Sequence, residues 1–104
     1  MTHPATKVTI IAEKLLQKRI VSLIDAAGAT GYTIVEGSGK GQHGVRAQNR
    51  ASVIDAFAIV RIEIIMKDRP SAERVAGQVA NECFSDHSGI VYLSEVEIFR
   101  PDRF

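Results

Sequence analysis

Cysteine occurs once in the 104 residues, at Cys83. A single thiol excludes an internal disulfide framework and fits a chain kept in a reducing compartment. No apolar run approaches the roughly 20 residues needed to span a bilayer. The N-terminus has neither the basic region nor the unbroken apolar stretch of a secretory signal. A cytoplasmic protein is expected. Excess charge of one sign is missing too: thirteen Lys and Arg against twelve Asp and Glu leave +1. Nothing in that balance draws the chain as a whole toward nucleic acid or an anionic membrane. The three histidines, His3, His43 and His87, lack any paired spacing with cysteine or carboxylates, so no metal site is expected.

What is present suits one small domain, residues 1–104, with 45% hydrophobic residues and room for a single modest core. Lys7–Ala12 is short, β-branched and alternating, as in a buried strand. From Glu13 to Ala27 the period changes. Leu15, Leu16, Ile20, Leu23, Ile24 and Ala27 recur at helical spacing, and Gly28 is a natural stop because a left-handed residue after a helix is cheapest as glycine. Gly31–Glu36 reads as a second strand. After residues 37–54, Asp55–Lys67 reads as a long strand whose even positions, Ala56 to Met66, are all apolar, while Arg61 and Glu63 place charge on the other face. Arg69-Pro70-Ser71 opens a second helix, with proline in the first turn where its missing N–H costs nothing. Its stripe is Ala72, Val75, Ala76, Val79, Ala80 and Cys83, which makes Cys83 a core thiol. Ser85–Gly89 is a turn and Ile90–Phe99 the last strand.

Two βαβ halves in tandem predict an α+β, ferredoxin-like βαββαβ sandwich. Its four-stranded antiparallel sheet carries both helices on one face. The uncovered face is expected to be closed by oligomerisation.

The connection of residues 37–54 holds four glycines and is longer than a compact domain usually tolerates without a function. Within it, Lys40, Arg46 and Arg50 fall in an eleven-residue stretch with no acid. Gly39-Lys40-Gly41-Gln42-His43-Gly44 is a literal G-x-G-x-x-G, but a dinucleotide fingerprint must open a helix, and only polar loop residues follow here. No Ser or Thr follows Lys40, which excludes a P-loop. The chemistry outlives the motif. Glycines let backbone N–H groups approach an anion, and Lys40 and Arg46 add charge-assisted bonds to phosphate oxygens. Composition alone leaves two alternatives open, an anion site and a solvated connector. In the turn, Asp86, His87 and Ser88 suggest a hydrolase, yet adjacent turn residues do not form a nucleophile–base–orienter line, and turn chemistry explains them without catalysis.

Several pieces occur together and in order: Glu13-Lys14, Gly31-Tyr32-Thr33, Gly39-Lys40-Gly41 with Val45-Arg46, and Phe84-x-Asp86-x-x-Gly89-Ile90-x-Tyr92. The set resembles the PII-like signalling proteins, and more narrowly the branch linked to inorganic carbon, the SbtB-type and carboxysome-associated PII proteins. The resemblance covers about Lys7 to Phe99. It implies a homotrimer with adenine nucleotides in the clefts between subunits, and residues 37–54 as the T-loop.

By position, Gly39, Lys40, Gly41, His43 and Arg46 would face the phosphates, and Thr33 the base of the cleft. Ser88, Gly89 and Ile90 would form the turn beside the nucleotide. Ile62, Glu63 and Ile64 of a neighbouring subunit would bracket the adenine. Bicarbonate would sit with Lys40, Gly41, Gln42 and Arg46. The implied ligands are AMP or ADP, then ATP or cyclic AMP. The implied partner is a bicarbonate transporter or carboxysome-associated protein, and the role is non-enzymatic. A slow adenine-nucleotide phosphohydrolase and a trimeric structural domain without ligand are the alternatives. The loop has no tyrosine, which argues against uridylylation. His43 stands where SbtB-like proteins carry arginine, and the paired C-terminal cysteines of some SbtB proteins are absent.

Overall fold

The computed structural model of the protein describes residues 1–39 and 58–101. Strand β1, His3–Glu13, runs into a single 3-10 turn, Lys14–Leu16, and helix α1, Gln17–Ala26. Strands β2, Thr33–Ser38, and β3, Ala58–Met66, precede helix α2, Arg69–Cys83, and strand β4, Gly89–Ile98. The sheet order is β2-β3-β1-β4, with every neighbouring pair antiparallel. This is the ferredoxin-like arrangement that the two βαβ halves predict.

One face of the sheet supplies Val8, Ile10, Ala12, Val60, Ile62, Ile64 and Met66 to the core. Alternation puts every second side chain of a strand on that side. Leu16, Ile20 and Ile24 from the first helical segment and Ala72, Val75, Val79 and Cys83 from α2 close over them. Burying each large aliphatic side chain is worth about 1.5–3 kcal/mol against leaving it in water. That burial, more than helix propensity, holds two short helices in place.

Local chemistry sets the ends. Gly28 takes φ +86°; the Gly28 N–H donates to the Asp25 carbonyl and the Ala29 N–H to the Ile24 carbonyl, each at 3.1 Å. These are the paired bonds of a Schellman stop, and they meet two of the orphan carbonyls of α1. At the start of α2, the Asp68 carboxylate accepts a hydrogen bond from the Ser71 N–H at 2.8 Å, with Pro70 in the first turn.

Several expected boundaries shift. β1 begins at His3, because His3–Thr6 pair with Ile98–Glu95 of β4. Pro4 is tolerated there since β3 pairing starts only at Thr6, leaving β1 an edge on that side. Glu13 stays extended and the chain turns at Lys14, so the α-helix starts at Gln17 rather than Glu13. Leu15 is consequently outside the apolar stripe and 63% exposed. β2 runs through Gly37 and Ser38, two residues into the stretch read as loop. The expected start of the third strand, residues 55–57, lies outside the described residues.

Candidate functional site

The face of the sheet away from the helices is built in rows. Thr33, Glu63, Thr9 and Tyr92 lie side by side across β2, β3, β1 and β4, and Val35, Arg61, Ile11 and Ile90 form the next row. Gly37, Ile59 and Glu13 follow at the edge. Val35, Ile90 and Tyr92 are exposed at 45%, 55% and 45%, an apolar surface set around charge. In its middle, Glu63 lies 3.5 Å from the Arg61 guanidinium and 3.9 Å from the Lys7 ammonium. Such pairs are worth about 0–1 kcal/mol in water and matter more when covered. Thr9 is fully buried beside them, and its Oγ1 has no hydrogen-bond partner among the described residues.

One end of this sheet collects most of the chemistry. β1 and β2 finish there and β3 and β4 begin there. Both stems of the long glycine-rich connection, Gly39 and Ala58, therefore emerge beside the turn that precedes β4. The Glu13 carboxylate reaches across and accepts a hydrogen bond from the Ser88 N–H, 2.9 Å from Oε2. Lys14 pairs with Glu36 at 3.1 Å. The Phe84 ring lies against the Gly89 backbone, so that a Cβ on Gly89 would stand 2.5 Å from Cζ. Only glycine admits the ring that close.

Of the residues proposed for a nucleotide, Ser88, Gly89, Ile90 and Gly39 gather at this end. Thr33 opens β2 and sits in the Glu63 row in the middle of the face. The side chains of Ile62 and Ile64 are 0% and 1% exposed beneath the helices, so on the uncovered face they present backbone only; of the three neighbours only Glu63 points its side chain there. Lys40, Gly41, Gln42, His43 and Arg46 lie outside the described residues. Sequence pattern placed Arg61 on the uncovered face and assigned no role to Glu13, Ile11, Ile59 or Phe84. Glu13 and Phe84 were visible as parts of the ordered motif set. The register that sets Ile11 beside Arg61 needs the strand pairing.

Two further chemistries can be placed. Burial pushes the Cys83 thiol above its ordinary range, against the thiolate a reactive cysteine needs. Among the described residues, no three His, Cys, Asp or Glu gather as metal ligands, and no helix is long and apolar enough to cross a membrane.

A ferredoxin-like sheet with one bare apolar face, a long glycine-rich connection and a tight turn at the same end defines the class of PII-like domains. The chain belongs to that family: residues 5–103 match the family described as "Nitrogen regulatory protein P-II". A PII-like signalling protein from Thermus thermophilus is 29% identical, with 99% of this chain and 97% of that one covered and a TM-score of 0.77. CPII, a nitrogen regulatory PII-like protein from Thiomonas intermedia, is similar in a structure bound to ADP, AMP and bicarbonate. It is 30% identical over 97% of this chain and 99% of that one, with a TM-score of 0.72. The apo form of CPII matches at 25% identity over 97% and 98% of the two chains, with a TM-score of 0.75.

Proposed function

We propose that the protein is a non-enzymatic signalling subunit that binds adenine nucleotides, AMP or ADP foremost, in the clefts of a homotrimer, with bicarbonate as a second ligand. The observation that carries this reading is the likeness, over nearly the whole chain, to CPII with ADP, AMP and bicarbonate bound. The geometry supports it in one respect. Thr33 and Glu63 lie four residues along the strands from the Gly37–Ile59–Glu13 edge, about 13 Å at strand rise. Within one subunit the proposed contacts thus fall into two groups, and a second copy laid on the bare face would bring one group to the other. Covering Val35, Ile90 and Tyr92 would also remove apolar surface from water.

In this reading Gly39, Lys40, Gly41, His43 and Arg46 serve the phosphates, Lys40, Gly41, Gln42 and Arg46 the bicarbonate, and Ser88, Gly89 and Ile90 the near wall. Thr33 and Glu63 come from the neighbour, where Ile62 and Ile64 contribute backbone only. Ligand contacts that differ between loop conformations would shift the population offered to a partner. The proposed partner is a bicarbonate transporter or carboxysome-associated protein, met in the cytoplasm, and the role is regulation of inorganic carbon uptake.

The test is a thermal-shift panel of AMP, ADP, ATP and cyclic AMP, each with and without bicarbonate. A ligand at a hundredfold its Kd stabilises by about 2.7 kcal/mol, which a melt resolves. The Arg46→Ala variant should lose most of the nucleotide shift. A panel in which no nucleotide moves the melt would overturn the reading.

A further inference from the structure

The Glu13–Ser88 bond lies at the same end of the sheet as Gly39, the one described residue of the set proposed for the phosphates, and it joins two parts of the chain 75 residues apart. Glu13 is the last residue of β1 and stays extended, with no side-chain bond to the helical turn that follows it. Its side chain can therefore cross to the neighbouring strand. Ala12 pairs with Gly89, which brings Ser88 alongside Glu13. A carboxylate accepting from a backbone N–H makes a charge-assisted bond, about twice as strong as a neutral one. The nearest cation in sequence, Lys14, is already paired with Glu36.

We propose that Glu13 is a ligand-discriminating residue. Its carboxylate holds the Ser88 amide as a built-in anion and so penalises nucleotides that bring additional phosphate to this end of the sheet. The inference rests on the nucleotide reading given above and adds to it which phosphate count is selected. The physics has two parts. A phosphate oxygen that needs the Ser88 N–H must displace Glu13, and a phosphate placed elsewhere at this end still meets its negative charge. Repulsion between unit charges a few ångströms apart spans roughly fivefold to several hundredfold in affinity as the surroundings change from water-like to protein-like.

The discriminating variant is Glu13→Gln, which keeps a carbonyl oxygen to accept from Ser88 and removes the charge. Titration calorimetry of the full chain with AMP, ADP and ATP is compared for wild type, E13Q and E13A. E13Q should raise ADP and ATP affinity about tenfold while moving AMP less than about twofold, so that the ADP-to-AMP preference shifts. E13A, which also frees the amide, should shift it at least as far. A wild-type chain that binds none of the three defeats the nucleotide reading itself. Normal wild-type binding with an unchanged ADP-to-AMP ratio in both variants defeats only the role of Glu13. Equal weakening of all three nucleotides also overturns it, since that would mark Glu13 as a direct ligand contact. Thermal melts of both variants, run alongside, separate these outcomes from loss of the fold.

Discussion

Replacing Gly89 with alanine tests the closeness that shapes the turn. The added methyl would stand 2.5 Å from Cζ and 2.8 Å from Cδ1 of Phe84, whereas ordinary contact begins at 3.4 Å. Relief requires the ring to retreat by about 1 Å or the strand start to lift. Neither is free. Phe84 is half-buried and packed on the core, and Gly89 is held by its pairing with Ala12. Overpacking of this kind costs typically about 1–3 kcal/mol. For a domain of this size that is a fall in Tm of roughly 4–8 °C per kcal/mol.

Urea denaturation followed by far-UV circular dichroism gives the change for G89A, for F84L and for the double variant. If the ring is the obstacle, F84L relieves the alanine and the two changes are non-additive by about 1 kcal/mol or more. Strict additivity, or a G89A chain as stable as wild type, would refute the close packing of Phe84 on the turn.

Two further outcomes follow from the same structure. Thr9 buries a hydroxyl that has no partner among the described residues, so Thr9→Val, nearly the same shape, should stabilise the chain by about 1 kcal/mol in urea unfolding. A loss of that size would show that the hydroxyl is bonded in the native protein. Asp68 has its carboxyl held below the usual range, chiefly by the Ser71 N–H and then by the Ser71 side chain. A lowered folded value means the contribution is complete above the unfolded pKa of about 3.9 and is lost as pH falls through the folded value. The urea midpoint of wild type should therefore exceed that of Asp68→Ala at neutral pH and converge on it in acid, and a gap that stays constant through the acid range would refute the cap.

The architecture was legible because each half of the chain repeats one switch of period. Lys7–Ala12 alternates, Leu16 to Ile24 recurs at helical spacing, and Gly28 stops the helix with the positive φ that only glycine takes cheaply. The misreadings have physical causes. Nothing in His3-Pro4-Ala5-Thr6 alternates, and its strand exists because β4 extends far enough to pair with it. Leu15 satisfies a helical pattern by type but precedes the α-helix, where the chain is still turning off the sheet. Asp68 as a cap is one residue ahead of the Arg-Pro-Ser start that the sequence marks, and its role appears only in the bond to Ser71.

For the site, composition leaves residues 37–54 open between an anion site and a solvated connector, and only the family resemblance implies a ligand there, with the turn at Ser88–Ile90 beside it. Ile62 and Ile64 show where resemblance and periodicity conflict. Alternation already assigns both to the core with Val60 and Met66, and the structure sides with alternation. A residue that flanks Glu63 along the strand sends its side chain through the opposite face and offers the uncovered face its backbone alone. Glu63 and Thr33, its partner across β2, both face that side.

That conflict also bears on how such a small domain could sense a ligand. Among the described residues, the large buried aliphatics go to the helix side, leaving the other face with Ile90, Tyr92 and Val35 around the Lys7–Glu63–Arg61 charges. A face of that composition is poorly served by water and poorly served by a purely apolar cover. A copy of itself, offering the same mixture of isoleucine and paired charge, suits it better. If the proposed ligand contacts are divided between the middle of this face and its end, ligand affinity and subunit association become linked quantities. Each must then strengthen the other by the same free energy. Dilution below the dissociation constant of the assembly should weaken nucleotide binding, and saturating nucleotide should hold the assembly together at concentrations where the free subunits part. Sedimentation velocity across a dilution series, with and without ADP, measures both sides of that linkage, and an assembly indifferent to nucleotide would break it.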